Sequence, residues 1–156
     1  IGPLMNEKAV AKQEEHVKDA LDRGARLLCG GKRHAAGPLF FEPTVLADVT
    51  DDMKVSCVEV FGPVVSIATY HDYEEALRRA NASDYGLQAA VFTNDLGKAL
   101  RAAEVLDYGA VMVNEVPTWR ADHMPYGGLR DSGNTREGPA YAVREMTEER
   151  LVVIQS

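Results

Sequence analysis

The sequence predicts an α/β fold, an open and mostly parallel sheet with flanking helices, on three observations. Between residues 64 and 113, strand-like and helix-like segments alternate with short connections, the pattern of parallel strands wound by crossovers. An amphipathic helical segment leads into them from the amino-terminal side, and a long irregular segment follows, leaving from the end of the last strand. That end is where open α/β sheets place their ligands.

The helix is predicted over residues 6–23, with Val10, Val17 and Leu21 near one face, and Gly24 as its stop signal. Residues 25–29 read as a short apolar strand closed by Gly30-Gly31. Residues 40–49 read as extended, with Pro43 limiting them to an edge or irregular strand. A strand at 64–70 follows, then a helix at 72–82 with Asp72 and Glu75 spaced for a capping box, then a strand at 87–92. Leu96, Ala99, Leu100, Ala103 and Leu106 mark one face of another helix, which Tyr108-Gly109 ends before a strand at 110–113. Residues 114–139 are irregular and dense in Gly, Pro, polar and aromatic residues, a length that points to function. A short helix at 140–145 and a terminal strand at 151–154 complete the chain. Residues 1–146 are expected to be one domain portion and residues 147–156 a separate terminal strand that pairs with another chain or another domain.

Charged residues at 26% and hydrophobic ones at 46% give a globular composition rather than a disordered one. The net charge of −7, without a basic stripe, argues against nucleic acid as a partner. No apolar run is long enough to cross a bilayer and no secretory signal leads the chain, so a cytoplasmic location without membrane partners is expected. Cys29 and Cys57 are the only cysteines, and both are expected reduced, Cys29 as a small buried hydrophobe. The four histidines show no zinc-ligand spacing, so no metal site is expected. GGLRDSG at 127–133 is glycine-rich, but it lacks the spacing of a phosphate-binding loop.

Chemistry concentrates in two places. In EVFGPV at 59–64, Glu59 and Phe61 precede a Gly-Pro step that fixes their direction, which suits a ligand both flat and hydroxylated as well as it suits a plain turn into a strand. In the irregular segment, Asn114, Arg120, Asp122, His123 and Tyr126 are the polar candidates. Each has a structural alternative: Asn114 as a strand-end cap, Arg120 as a surface partner of Asp122.

Several motifs, in order along nearly the whole chain, resemble the carboxyl-terminal part of the aldehyde dehydrogenase catalytic domain. They are GPL at 2–4, GARLLCGG at 24–31, FFEPTVLADV at 40–49, EVFGPVVS at 59–66, GAVMVN at 109–114 and PYGGLRDSGNTREG at 125–138, with 74–95 similar throughout. The resemblance implies oxidation of an aldehyde to a carboxylate through a thioester, with NAD or NADP as cofactor. It further implies that Glu59 holds the nicotinamide ribose hydroxyls and Phe61 packs near the nicotinamide. Tyr126, with Trp119 or Arg120, would line the aldehyde tunnel. The family's nucleophile, general base and coenzyme-binding domain all precede the matched region. No catalytic residue is therefore expected in this chain, and alone it should be inactive. Its expected partners are a small aldehyde, the remainder of the same polypeptide and further copies in a homo-oligomer, the resemblance narrowing residues 147–156 to an oligomerisation strand.

The stretch VPTWRADHMPYGG is similar to branches acting on small or anionic aldehydes, which would make Arg120 a forked donor to a substrate anion. Two departures stand out: Val58 replaces an acidic residue common beside the ribose-binding glutamate, and Asn134-Thr135 replaces a small glycine-containing pair. The competing expectation is a non-catalytic oligomerisation or interaction module derived from the same family.

Overall fold

A computed structural model describes residues 1–156, which form two compact units, residues 1–72 and 73–156. In the first, helix α1 (Glu7–Asp22) starts at Asn6, whose side chain accepts the Ala9 N–H at 2.9 Å. It stops as the sequence predicts. The Gly24 N–H donates to the Leu21 carbonyl and the Ala25 N–H to the Ala20 carbonyl, the paired bonds of a Schellman ending. Its buried face is Val10, Gln13, His16, Val17 and Ala20; Leu21, expected on that face, is 40% exposed. The spacing of Val10, Val17 and Ala20 outweighs the larger side chain one position on.

Strands β1 (Arg26–Cys29), β2 (Thr44–Ala47) and β3 (Val64–Ser66) form one sheet in that order, β1 antiparallel and β3 parallel to β2. Of the two expectations for residues 40–49, an edge or an irregular strand, the edge is corrected, because β2 is central; the ladder with β1 is irregular, with a register shift at Leu27–Cys29. Pro43 lies just before its first residue, so the missing N–H falls outside the ladder. Cys29 is exposed rather than buried, since β1 is the edge strand and all four of its residues are exposed. A single turn, α2 (Lys54–Cys57), lies between β2 and β3. The core gathers Val10, Val17, Phe41, Leu46, Val49, Met53, Val55 and Val64. Fully burying one such side chain is worth about 1.5–3 kcal/mol.

The second unit contains α3 (Tyr73–Asn81), β4 (Tyr85–Gly86), β5 (Gln88–Val91), α4 (Leu96–Val105), β6 (Ala110–Val113), β7 (Leu129–Arg130) and α5 (Pro139–Glu145). β5 and β6 pair in parallel, Gln88 opposite Ala110 through Val91 opposite Val113, with α4 between them in sequence. Thus the β-α-β unit expected at 87–113 is present, whereas the partner of β3 is β2. β4 pairs antiparallel with β7, which brings residues 129–130 of the irregular segment into a ladder. Leu77, Ala102 and Leu106 form the buried centre. On α4 the buried stripe is Ala99, Ala102 and Leu106, while Leu96 and Leu100 are 72% and 63% exposed. Of the face read from the sequence, Ala99 and Leu106 are buried, whereas Leu96, Leu100 and Ala103 are exposed.

Residues 147–156 have no regular structure, and Leu151, Val152, Val153 and Ile154 are 68–88% exposed. The strand expected at 151–154 is not formed, because an extended segment needs a neighbour to pair its backbone groups. No helix is long and apolar enough to cross a membrane.

Candidate functional site

In the first unit, α1 holds the EVFGPV turn by two of its side chains and the start of α2 by a third. Lys12 Nζ donates to the Glu59 carbonyl, Gln13 Nε2 donates to the Val60 carbonyl at 3.0 Å, and the Asp19 carboxylate accepts the Lys54 N–H at 2.9 Å at the start of α2. Asp19 is held below the usual carboxylate range by that backbone bond first and by Arg23 second. Gln13 is fully buried, and a Cβ on Gly62 would overlap its amide, so only glycine lets the turn lie against the helix.

Two residues before Pro63, Phe61 takes a left-handed φ of +48° and its ring is 79% exposed. A bulky residue in that conformation, presenting its ring to solvent, is costly unless the surroundings impose it. Here Lys12 and Gln13 hold the carbonyls of the two residues before it. Glu59 is exposed on the same turn, with its carboxylate available to accept hydrogen bonds. Phe61 lines an apolar groove of about 460 Å³ with Pro3, Leu4, Met5 and Ala9. The turn thus carries an exposed carboxylate and, two residues on, an exposed ring. Sequence reasoning missed Lys12 and Gln13, which are ordinary polar positions of an amphipathic helix. Their spacing from residues 59–60 carries no local signal.

In the second unit, Arg120 and Tyr126 come together. The guanidinium carbon lies 4.3 Å from the centroid of the Tyr126 ring, and both residues line a pocket of about 360 Å³ with Leu87, Gln88, Pro117 and Thr118. Arg120 does pair with a carboxylate, but it is Glu137 at 3.3 Å rather than Asp122. The backbones of Tyr126 and Glu137 also pair, each N–H bonded to the other's carbonyl, which fixes the register of ring and carboxylate. Trp119 is 46% exposed on the preceding turn, its N–H bonded to the Val116 carbonyl. Asn114 is the strand-end cap: its amide accepts the Thr93 N–H at 2.8 Å and donates to the Thr93 carbonyl at 2.9 Å. Asp122 and His123 are exposed. No group of three His, Cys, Asp or Glu side chains is placed to hold a metal ion.

The segment that follows Tyr126 makes a close backbone approach. A Cβ on Gly109, just before β6, would overlap the Gly127 carbonyl oxygen and lie 3.0 Å from the Leu87 carbonyl oxygen. Arg130 closes the far side of the same segment. Its guanidinium donates to the carbonyls of Asn81 at 2.8 Å, Ser83 at 2.6 Å and Asp107 at 2.7 Å, and lies 5.5 Å from the Tyr108 ring.

An α/β chain with these two surfaces finds its counterpart among known proteins. The chain belongs to the aldehyde dehydrogenase family, whose model matches residues 1–152. A 3-sulfolactaldehyde dehydrogenase of Priestia megaterium is 51% identical over 154 residues, 99% of this chain and 32% of that protein. The NADP(+) succinate-semialdehyde dehydrogenase of Escherichia coli is 42% identical over 154 residues, again 99% of this chain and 32% of that protein. Among solved structures, aldehyde dehydrogenase 21 of Physcomitrella patens, in complex with the reaction product succinate, superposes with a TM-score of 0.89 at 44% identity. That match covers 95% of this chain and 30% of that one. The glyceraldehyde-3-phosphate dehydrogenase of Methanocaldococcus jannaschii, complexed with NADP, gives 0.87 at 41% identity, covering 93% and 31%. The chain spans about a third of the length of the curated relatives it matches.

Proposed function

We propose that this chain supplies the carboxyl-terminal part of an NAD(P)-dependent aldehyde dehydrogenase that oxidises a small anionic aldehyde to its carboxylate. On this reading Glu59 and Phe61 contribute a cofactor wall, and Trp119, Arg120 and Tyr126 a substrate wall. When bound, the nicotinamide supplies the hydride acceptor. The nucleophile and general base come from residues outside the chain, so the 156-residue chain alone has no turnover. Residues 147–156 act as a strand that pairs between copies in a homo-oligomer. Their exposed apolar run is also what favours the second reading, an oligomerisation module without chemistry.

The observation that carries the proposal is the Arg120 guanidinium, stacked on Tyr126 at the pocket wall with most of its forked donors uncommitted. A sulfonate, carboxylate or phosphate group suits that fork. Relatives named for sulfolactaldehyde and succinate semialdehyde, both anionic, support the substrate class. Replacing Arg120 with Met in the intact enzyme tests it. Loss of a charge-assisted hydrogen bond of about 1.5–3 kcal/mol raises KM for an anionic aldehyde roughly 10- to 150-fold and that for a neutral one much less. An unchanged KM for anionic aldehydes refutes the assignment.

A further inference from the structure

We infer that Gln13 is a positioning residue for the cofactor: its buried amide holds the turn that presents Glu59 and Phe61, and it serves the direction of those side chains rather than the stability of the fold. The inference rests on the reading of Glu59 and Phe61 as the cofactor wall and concerns what sets their geometry.

Gln13 stands on the buried face of α1 and is fully inaccessible, so nothing added around this chain in the intact enzyme can touch it. Its Nε2 donates to the carbonyl of Val60, the residue between Glu59 and Phe61, at 3.0 Å, and to the Ala9 carbonyl of its own helix at 3.3 Å. On the other side of Phe61, a Cβ on Gly62 would overlap the same amide. One side chain thus engages the residue before Phe61 and the residue after it, and between them Phe61 takes its left-handed φ of +48°.

This contact adds little to stability. The amide makes a good hydrogen bond to the turn, but its Oε1 has no partner, and a buried acceptor left unpaired costs about as much as such a bond contributes. Phe61 adds a second cost, since a bulky residue persists in a left-handed conformation only where its surroundings over-determine it. An apolar side chain of the same length at position 13 removes the orphan oxygen, and a released turn lets Phe61 return to an ordinary φ. Both changes offset the lost bond. They do not restore direction: rotation of the backbone at Val60 and Phe61 swings the carboxylate and the ring, one on either side of Val60, away from a common ligand. Stability and cofactor affinity therefore respond differently at this position.

The experiment compares the intact enzyme carrying Gln13→Met, the pair Glu59→Ala with Phe61→Ala, and all three, by thermal unfolding and by kinetics with cofactor and aldehyde varied separately. Methionine keeps the length and unbranched shape of glutamine while removing the amide. In Q13M, Tm should stay within about 2 °C of the native value or rise. KM for the nicotinamide cofactor should rise about three- to tenfold, part of what a hydrogen bond to a charged group is worth, while KM for the aldehyde holds within about twofold. In the E59A/F61A background, Q13M should add nothing to the cofactor KM. A larger loss of Tm or a failure to fold, a rise of equal size for cofactor and aldehyde, or an undiminished rise in the E59A/F61A background overturns the inference, since each marks a merely structural residue. A cofactor KM raised by E59A/F61A but unmoved by Q13M leaves the cofactor wall standing and removes Gln13 from it. A flat response to E59A/F61A removes the wall itself and the inference with it.

Discussion

Replacing Gly109 with alanine puts the close backbone approach of Gly109 to Gly127 to a quantitative test. The added methyl would overlap the Gly127 carbonyl oxygen, lie 2.8 Å from the Gly127 carbonyl carbon and 3.0 Å from the Leu87 carbonyl oxygen. All three atoms are backbone, so no side-chain rotation relieves the clash. One strand entrance or the segment after Tyr126 must move, straining the Gly109-to-Gly86 bond at 2.9 Å and the Ala110-to-Leu87 bond at 3.3 Å. Overpacking of a rigid site costs about 1–3 kcal/mol, and backbone neighbours place this site at the upper end. At about 2–4 °C per kcal/mol for a chain of this size, Tm should fall by about 6–12 °C. Calorimetry or circular dichroism reads that shift, with Gly2→Ala as the control, since a Cβ at Gly2 meets nothing within 4 Å. In the intact enzyme KM for the anionic aldehyde should rise as Tyr126 moves with Gly127. A shift below about 2 °C in Gly109→Ala would show that the Gly109–Gly127 approach is not held by the fold, and the clash argument would fail.

Two further outcomes follow from the first unit. Phe61→Ala removes a ring that is 79% exposed, so Tm should stay within about 2 °C, while KM for the nicotinamide cofactor should rise roughly two- to tenfold from the lost stacking; a large Tm loss with unchanged KM would place the ring in the core instead. His16 is buried, its Nδ1 has no partner, and burial first and Lys12 second push it below the usual histidine range. The unfolded chain then binds a proton that the folded chain refuses. The His16 contribution is therefore fully present above about pH 6.5 and is lost as pH falls below it. Urea midpoints at pH 7.5 and 5.0 should differ more for the native protein than for His16→Leu, and equal differences would count against a neutral buried His16.

The sequence revealed the elements better than their partners. Local chemistry marks the ends of α1, so Asn6 and Gly24 were legible, as was the β5-α4-β6 unit from its alternation. Periodicity read α4 in part: Ala99 and Leu106 are buried as read, but Leu96 and Leu100 look like a core face and only packing shows that Ala102 is turned inward in their place. The pairing of β3 with β2 and the central position of β2 are long-range facts with no local signature. For the site, Glu59, Phe61, Arg120 and Tyr126 were visible as motif residues. Lys12, Gln13 and Glu137 were not, since each acts through a contact 47 or 17 residues away in the chain.

The paired backbones of Tyr126 and Glu137 close residues 127–136 into a loop with a fixed neck. Asn134 and Thr135, the positions that depart from the family pattern, lie on this loop and are exposed. What reaches back from there is the Thr135 carbonyl, which crowds Gly127 and accepts from Arg136 Nη1 at 2.9 Å, and a carbonyl is the same in every residue. The loop thus separates spelling from geometry: side chains at its tip can be rewritten, or carry a spectroscopic label, while the neck keeps ring and carboxylate aligned on Arg120.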